Sequence, residues 1–137
     1  MAAITFTPAS LLRSSGPTKI RVAGEALVQG AFYYIKASDN KAYNAVNTSV
    51  AAASVDGVAL VAATAAGQQF IGQEGGELAV GSALLVLGKA YAVSATAGKC
   101  IAVDELVNPA YISGVGYPMT TSTLKLAFCA SGAQVPA

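Results

Sequence analysis

Two stretches of this 137-residue chain follow one plan. Residues 24–43, GEALVQGAFYYIKASDNKAY, are matched by residues 76–91, GELAVGSALLVLGKAY. Gly24 and Glu25 align with Gly76 and Glu77, Val28 with Val80, residues 32–35 with 84–87, and Lys41, Ala42 and Tyr43 with Lys89, Ala90 and Tyr91. The match continues downstream, where Asp56-Gly57-Val58-Ala59 recurs as Ser113-Gly114-Val115-Gly116 and Gln68-Gln69-Phe70-Ile71 as Lys125-Leu126-Ala127-Phe128. A repeated unit of this length restricts the fold to two copies of one supersecondary motif, each offering about four short strands. Chance similarity in an Ala-, Gly- and Val-rich chain is the competing explanation. The ordered succession of anchors argues against it.

The copies differ at the hairpin tip. Gly88 and Lys89 read as a two-residue connection with glycine at the first central position, the requirement of a type II′ turn, whereas the first copy loops through residues 36–40. Other strands are legible from their patterns. Residues 18–22 alternate, with Ile20 and Val22 expected inward and Lys19 and Arg21 outward. Residues 31–37 carry three successive aromatics and an isoleucine, which favours a central strand. Residues 47–54, NTSVAAAS, read as a loop or one helical turn. In residues 100–111 Asp104 is expected to cap a short helix that Pro109 stops.

The fold class is therefore mainly β, a small barrel or sandwich built from two related β-hairpin-containing repeats with an extended N-terminal arm. Residues 1–17 form the arm, 18–129 one β domain with copies at about 24–72 and 76–129, and 130–137 a mobile, patternless tail. Residues 1–10, MAAITFTPAS, lack the charged and apolar regions of a secretory signal, so a reducing cytosol is the expected place of synthesis. Hydrophobic residues make up 54%, but much of that is Ala, which buries little area; a monomeric core would be thin, so a homo-oligomer is expected. Phe32, Tyr33 and Tyr34 are the candidate oligomer interface.

The chain has no histidine, which removes the commonest general base and metal ligand. Its carboxylates are scattered, and its glycines form no phosphate-binding loop. Cys100 and Cys129 read as buried free thiols rather than a metal site or disulfide framework. No catalytic, cofactor-binding or metal-binding residues are assigned, and no enzyme, cofactor or small-molecule substrate is expected. Eight Lys and Arg against seven Asp and Glu, placed singly, give no basic run for nucleic acid. No apolar stretch approaches the roughly 20 residues of a membrane span, and neither nucleic acid nor membrane is expected as a partner.

The Gly-Glu strand start, the Gly88-Lys89-Ala90-Tyr91 hairpin and the DGVALVAATAAGQQF stretch with its weaker second copy resemble the small capsid decoration or cement proteins of tailed bacteriophages. The resemblance covers residues 20–128. It departs in the second copy, where Pro118, Met119 and threonines stand in place of the AATAAG segment. It implies a structural virion protein on the outer capsid surface, commonly a homotrimer, whose partner is the major capsid protein. For capsid binding, Ile4, Thr5, Phe6 and Thr7 of the arm form a short β-prone segment suited to pairing with a partner's sheet edge, Pro8 ending it. The alternative is a receptor- or glycan-binding β-module of a phage fibre or appendage, with Tyr33, Tyr34, Tyr43 and Tyr91 as its stacking surface.

Overall fold

The computed structural model describes residues 12–80 and 84–136, which form a mainly β protein with very little helix. In chain order the strands are β1 (Leu12–Ser15), β2 (Thr18–Val22), β3 (Phe32–Lys36), β4 (Lys41–Asn44), β5 (Gly57–Ala59), β6 (Gln69–Gln73), β7 (Glu77–Ala79), β8 (Tyr91–Val93), β9 (Cys100–Ala102), β10 (Tyr111–Thr120) and β11 (Thr123–Gln134). One helical turn, α1 (Val50–Ala53), interrupts them. Ser49 starts it by accepting a hydrogen bond from the Ala52 amide, and no acidic or basic residue supports either end, so the Ala run extends no further.

The strands form two antiparallel sheets, a five-stranded one in the order β2-β6-β5-β3-β4 and a six-stranded one in the order β1-β7-β11-β10-β8-β9. Of the two architectures expected, the sandwich-like one is found. A lone parallel bridge between Ala23 and Ala42 draws the outer strands of the five-stranded sheet together at one end without closing a barrel.

The connectivity recurs. Advancing each strand of the order β2-β6-β5-β3-β4 by five places gives β7-β11-β10-β8-β9, so the two sheets share one strand order and the second carries β1 as an added edge strand. Gly57-Val58 on β5 and Gly114-Val115 on β10 hold equivalent central places, as the sequence alignment has them. Upstream the alignment slips by one strand. It equates Tyr43 with Tyr91, yet Tyr43 lies on β4 while Tyr91 lies on β8, the counterpart of β3. Residues 84–87, aligned with β3, form no strand. Biased composition lets such a slip score well, because Ala, Val and Leu fit either register.

The tip of the second copy differs from expectation as well. The Lys89 amide donates to the Val86 carbonyl, which makes Leu87 and Gly88 the central residues. Gly88, at φ +88°, is thus the second of them, the place where a type II turn needs a positive φ, and no type II′ hairpin forms.

Two apolar clusters hold the sheets. The larger joins Phe32, Val55 and Val58 of the five-stranded side to Leu78, Tyr91, Val93, Val115, Leu124 and Leu126 of the other. The smaller lies on the opposite face of the five-stranded sheet, where Tyr33, Ala59 and Phe70 pack beneath Leu27 and Ala63, themselves bridged. Each large side chain fully buried in these clusters contributes about 1.5–3 kcal/mol of transfer free energy.

Several expectations change. Residues 12–15 are not free arm but pair with β7. The tail is not patternless in structure: β11 continues through Gln134, with Ala130 opposite Ser113 and Gln134 opposite Tyr111. A ladder of backbone hydrogen bonds needs no side-chain pattern, only a long enough partner, and β10 supplies it. On β2 Lys19 is exposed and Val22 half-buried as expected, but Ile20 is 71% exposed and paired to the exposed Ile71, while Arg21 turns inward. Asp104 caps no helix. The chain there makes only a 3₁₀ turn at Val103–Glu105 without a side-chain cap, and Asp104 forms a surface ion pair with Lys89 at 3.3 Å. Cys100 is buried but Cys129 is exposed.

Candidate functional site

Three places in this fold gather side chains that chemistry or recognition could use. The first is a polar rib on the face of the five-stranded sheet that carries the smaller cluster. Tyr33, on β3, lies over β5 and β6 because the residues beneath it are Gly57 and Gly72; a Cβ at Gly72 would stand 2.1 Å from the Tyr33 hydroxyl oxygen. The ring packs edge-on against Phe70 at 5.2 Å. Its hydroxyl donates to Glu74 Oε2 at 2.7 Å, and Arg21 on β2 donates to both carboxylate oxygens, Nε to Oε2 at 2.8 Å and Nη2 to Oε1 at 3.0 Å.

Charge is balanced within that rib. Burial first, then the hydrogen bond to the Glu74 carboxylate, raises the Tyr33 phenol well above its ordinary range. For Glu74 the largest influence is burial, which would raise its pKa, but the hydrogen bonds from Arg21 and Tyr33 outweigh it and hold the carboxyl below its ordinary value. Both groups are locked in the protonation states they hold at neutral pH, so neither is poised to exchange protons with a substrate. The rib joins β2 and β3 to the residue that follows β6 and is a structural network.

The second place is the β3–β4 hairpin surface. Tyr34 and Tyr43 face each other across the strands with ring centroids 6.0 Å apart, and the Lys36 ammonium stands 5.0 Å from the centre of the Tyr43 ring. The Tyr43 hydroxyl donates to Asp39, which, with Lys41 and Lys36 contributing after it, lowers the Asp39 pKa. Glu25 accepts from the backbone and side-chain nitrogens of Asn44, fastening the preceding loop to β4.

The third is a cleft of about 280 Å³, walled by Ile101, Leu106, Val107 and Pro109 with Glu105, Asn47 and Gln134 among its polar members. Asn47 Nδ2 donates to the Val93 carbonyl at 3.1 Å, fixing that wall, and Gln134 Nε2 donates to the Pro109 carbonyl at 3.1 Å, fixing the other.

The sequence-derived candidates fare unevenly. Ile4, Thr5, Phe6 and Thr7 lie outside the described residues. Phe32 and Tyr33 are fully buried, in different clusters of this same chain, so of the three residues named for an oligomer interface only Tyr34 keeps surface. The aromatics fill the protein's own cores because alternate residues of β3 point to its two covered faces. Tyr91 is buried too, and its hydroxyl accepts from the Val86 amide, which leaves Tyr34 and Tyr43 as the surviving pair of the tyrosine surface. Among the described residues no group of three or more His, Cys, Asp or Glu could hold a metal ion. No helix among them is long and apolar enough to cross a membrane. The cleft had no place among the sequence candidates. Its only trace there is a glutamate followed by the apolar Leu106-Val107 and an Asn-Pro pair, a pattern that gains meaning only when β11 folds back beside it.

Comparison with protein families, curated proteins and solved structures finds no match to this chain.

Proposed function

We propose that this chain is a structural virion protein that binds the exterior of a phage capsid and stabilises the shell, with the major capsid protein as its partner and a homotrimer as its working form. The observation that carries the reading is β1. The last residues of the arm already lie as an edge strand along β7, so the described part of the chain begins, at Leu12, on a sheet edge. Ile4, Thr5, Phe6 and Thr7 then pair as a strand with an edge of the capsid protein, Ile4 and Phe6 filling apolar pockets on one side. Several exposed apolar side chains, among them Ile20, Ile71, Leu87 and Met119, add contact surface.

The test is co-sedimentation of the purified chain with empty capsids. A chain lacking residues 2–11 should keep its fold and lose occupancy, whereas Phe6→Ala should weaken occupancy in part. Attachment should persist at high salt, since it rests on apolar burial and backbone hydrogen bonds that screening leaves intact. Full occupancy by the truncated chain would overturn the assignment of the arm. The Tyr34–Tyr43 pair favours a second reading, a glycan-binding module of a fibre or appendage. Retention on immobilised glycans that is lost with Tyr43→Ala, together with absence from capsids, would establish it in place of the first.

A further inference from the structure

The cleft behind the turn at Val103–Glu105 combines apolar walls with a carboxylate. Its walls are apolar, yet Glu105 stands in it with Oε2 buried and accepting no hydrogen bond. The ion pairs among the described residues join Arg21 to Glu74 and Lys89 to Asp104, and neither reaches Glu105. A carboxylate partly stripped of water and lacking a counter-ion has already lost solvation, so it gains more from an arriving cation than a fully hydrated one does.

We propose that this cleft is a docking site for a lysine side chain of a partner protein, the aliphatic stem lying on Ile101, Leu106 and Val107 and the ammonium meeting Glu105. Charge complementarity names a cation, and the apolar walls name one carried on a hydrocarbon stem. Lysine fits better than arginine because Oε2 is closed off. The arginine fork gains its advantage by engaging both carboxylate oxygens, whereas an ammonium is a compact charge satisfied by one. Size agrees, since about 280 Å³ falls just below the range of about 300–1,000 Å³ usual for small-molecule pockets and suits a single side chain.

The site is built before anything docks. Asn108 Nδ2 donates to the Val135 carbonyl at 2.7 Å, and the Val135 amide donates to the Ala110 carbonyl at 2.9 Å, so the turn and the end of β11 hold each other in place. Little ordering remains to be done on binding. This inference does not depend on the capsid reading.

The test titrates Nα-acetyl-lysine methylamide into the full-length chain and follows backbone amide resonances. Saturable shifts at Val107, Ala110 and Gln134 are expected, in the millimolar range for an isolated side chain, with the uncharged norleucine analogue at least about tenfold weaker. Glu105→Gln should lower lysine binding to the norleucine level. Ala95→Phe, at an exposed position on the cleft rim, should fill the space and abolish binding of both probes while leaving Glu105 in place. Should Glu105→Gln lose a dispersed spectrum, the comparison of lysine with norleucine on the unaltered chain still decides. Equal affinity for the two probes, undiminished binding by a folded Glu105→Gln, or absence of saturable shifts at the cleft would overturn the proposal.

Discussion

Gly72→Ala should be among the most damaging single-methyl changes this chain can suffer. The added Cβ would lie 2.1 Å from the Tyr33 hydroxyl oxygen and 2.8 Å from two of its ring carbons. Tyr33 is fully buried, with Phe70 edge-on at 5.2 Å, so the ring has nowhere to yield without opening the smaller cluster. Overpacking of this kind costs about 1–3 kcal/mol. Any displacement of the ring also breaks the 2.7 Å bond to Glu74, a hydrogen bond to a charged group worth about 1.5–3 kcal/mol. The two add to about 2.5–6 kcal/mol, a large share of the roughly 5–15 kcal/mol that holds a domain together. Urea unfolding measures it directly, as a lower midpoint at unchanged slope. A double-mutant cycle tests the cause. Tyr33→Phe removes the oxygen that the methyl strikes, so Gly72→Ala should cost less in that background, with a coupling of about 0.5–3 kcal/mol, though not nothing, since the ring carbons remain. A Gly72→Ala chain within about 0.5 kcal/mol of the wild type, or one equally destabilised in both backgrounds, would refute the placement of Tyr33 over Gly72.

The same rib sets an acid limit. The folded pKa of Glu74 lies below its unfolded value, so its contribution is present above the ordinary carboxylate pKa and is lost as pH falls through the folded one; Glu74→Gln should lower stability at neutral pH and flatten the acid limb of a stability–pH curve. For Tyr33 the shift is upward, and its contribution is complete below the ordinary tyrosine pKa and lost above it, so a spectrophotometric titration should show one tyrosine ionising only on alkaline unfolding. The cysteines should separate kinetically: the exposed Cys129 reacts at once with a disulfide reagent, while Cys100, whose thiol burial pushes up to about 12, reacts only as the chain unfolds. Truncation should be graded, with removal of residues 2–11 leaving the melting temperature nearly unchanged and removal through residue 16 lowering it, because the latter takes away β1; equal melting temperatures for the two would refute the pairing of β1 with β7.

What the sequence determined by itself is local. Aromatic and β-branched runs made β3 a strand, Ser49 and the Ala run made one helical turn, and the Gly-Val pairs at residues 57–58 and 114–115 matched each other and fell on β5 and β10. These rest on propensities and hydrogen bonds between near neighbours, which a linear reading contains. Tertiary structure decided the rest. Alternation on β2 shows that one face is buried but not which, and Arg21 turns inward only because Glu74, 53 residues away, and Tyr33 wait there with a carboxylate and a hydroxyl. Residues 130–134 carry no pattern, yet they extend β11 because β10 offers backbone donors and acceptors along its length. Tyr33, Tyr34, Tyr43 and Tyr91 look alike in sequence, and burial alone separates the core pair from the surface pair. The cleft at Glu105 exists only where β11 returns beside the turn that follows β9. In each case the deciding partner is distant along the chain, and composition this uniform leaves its register to be chosen by packing.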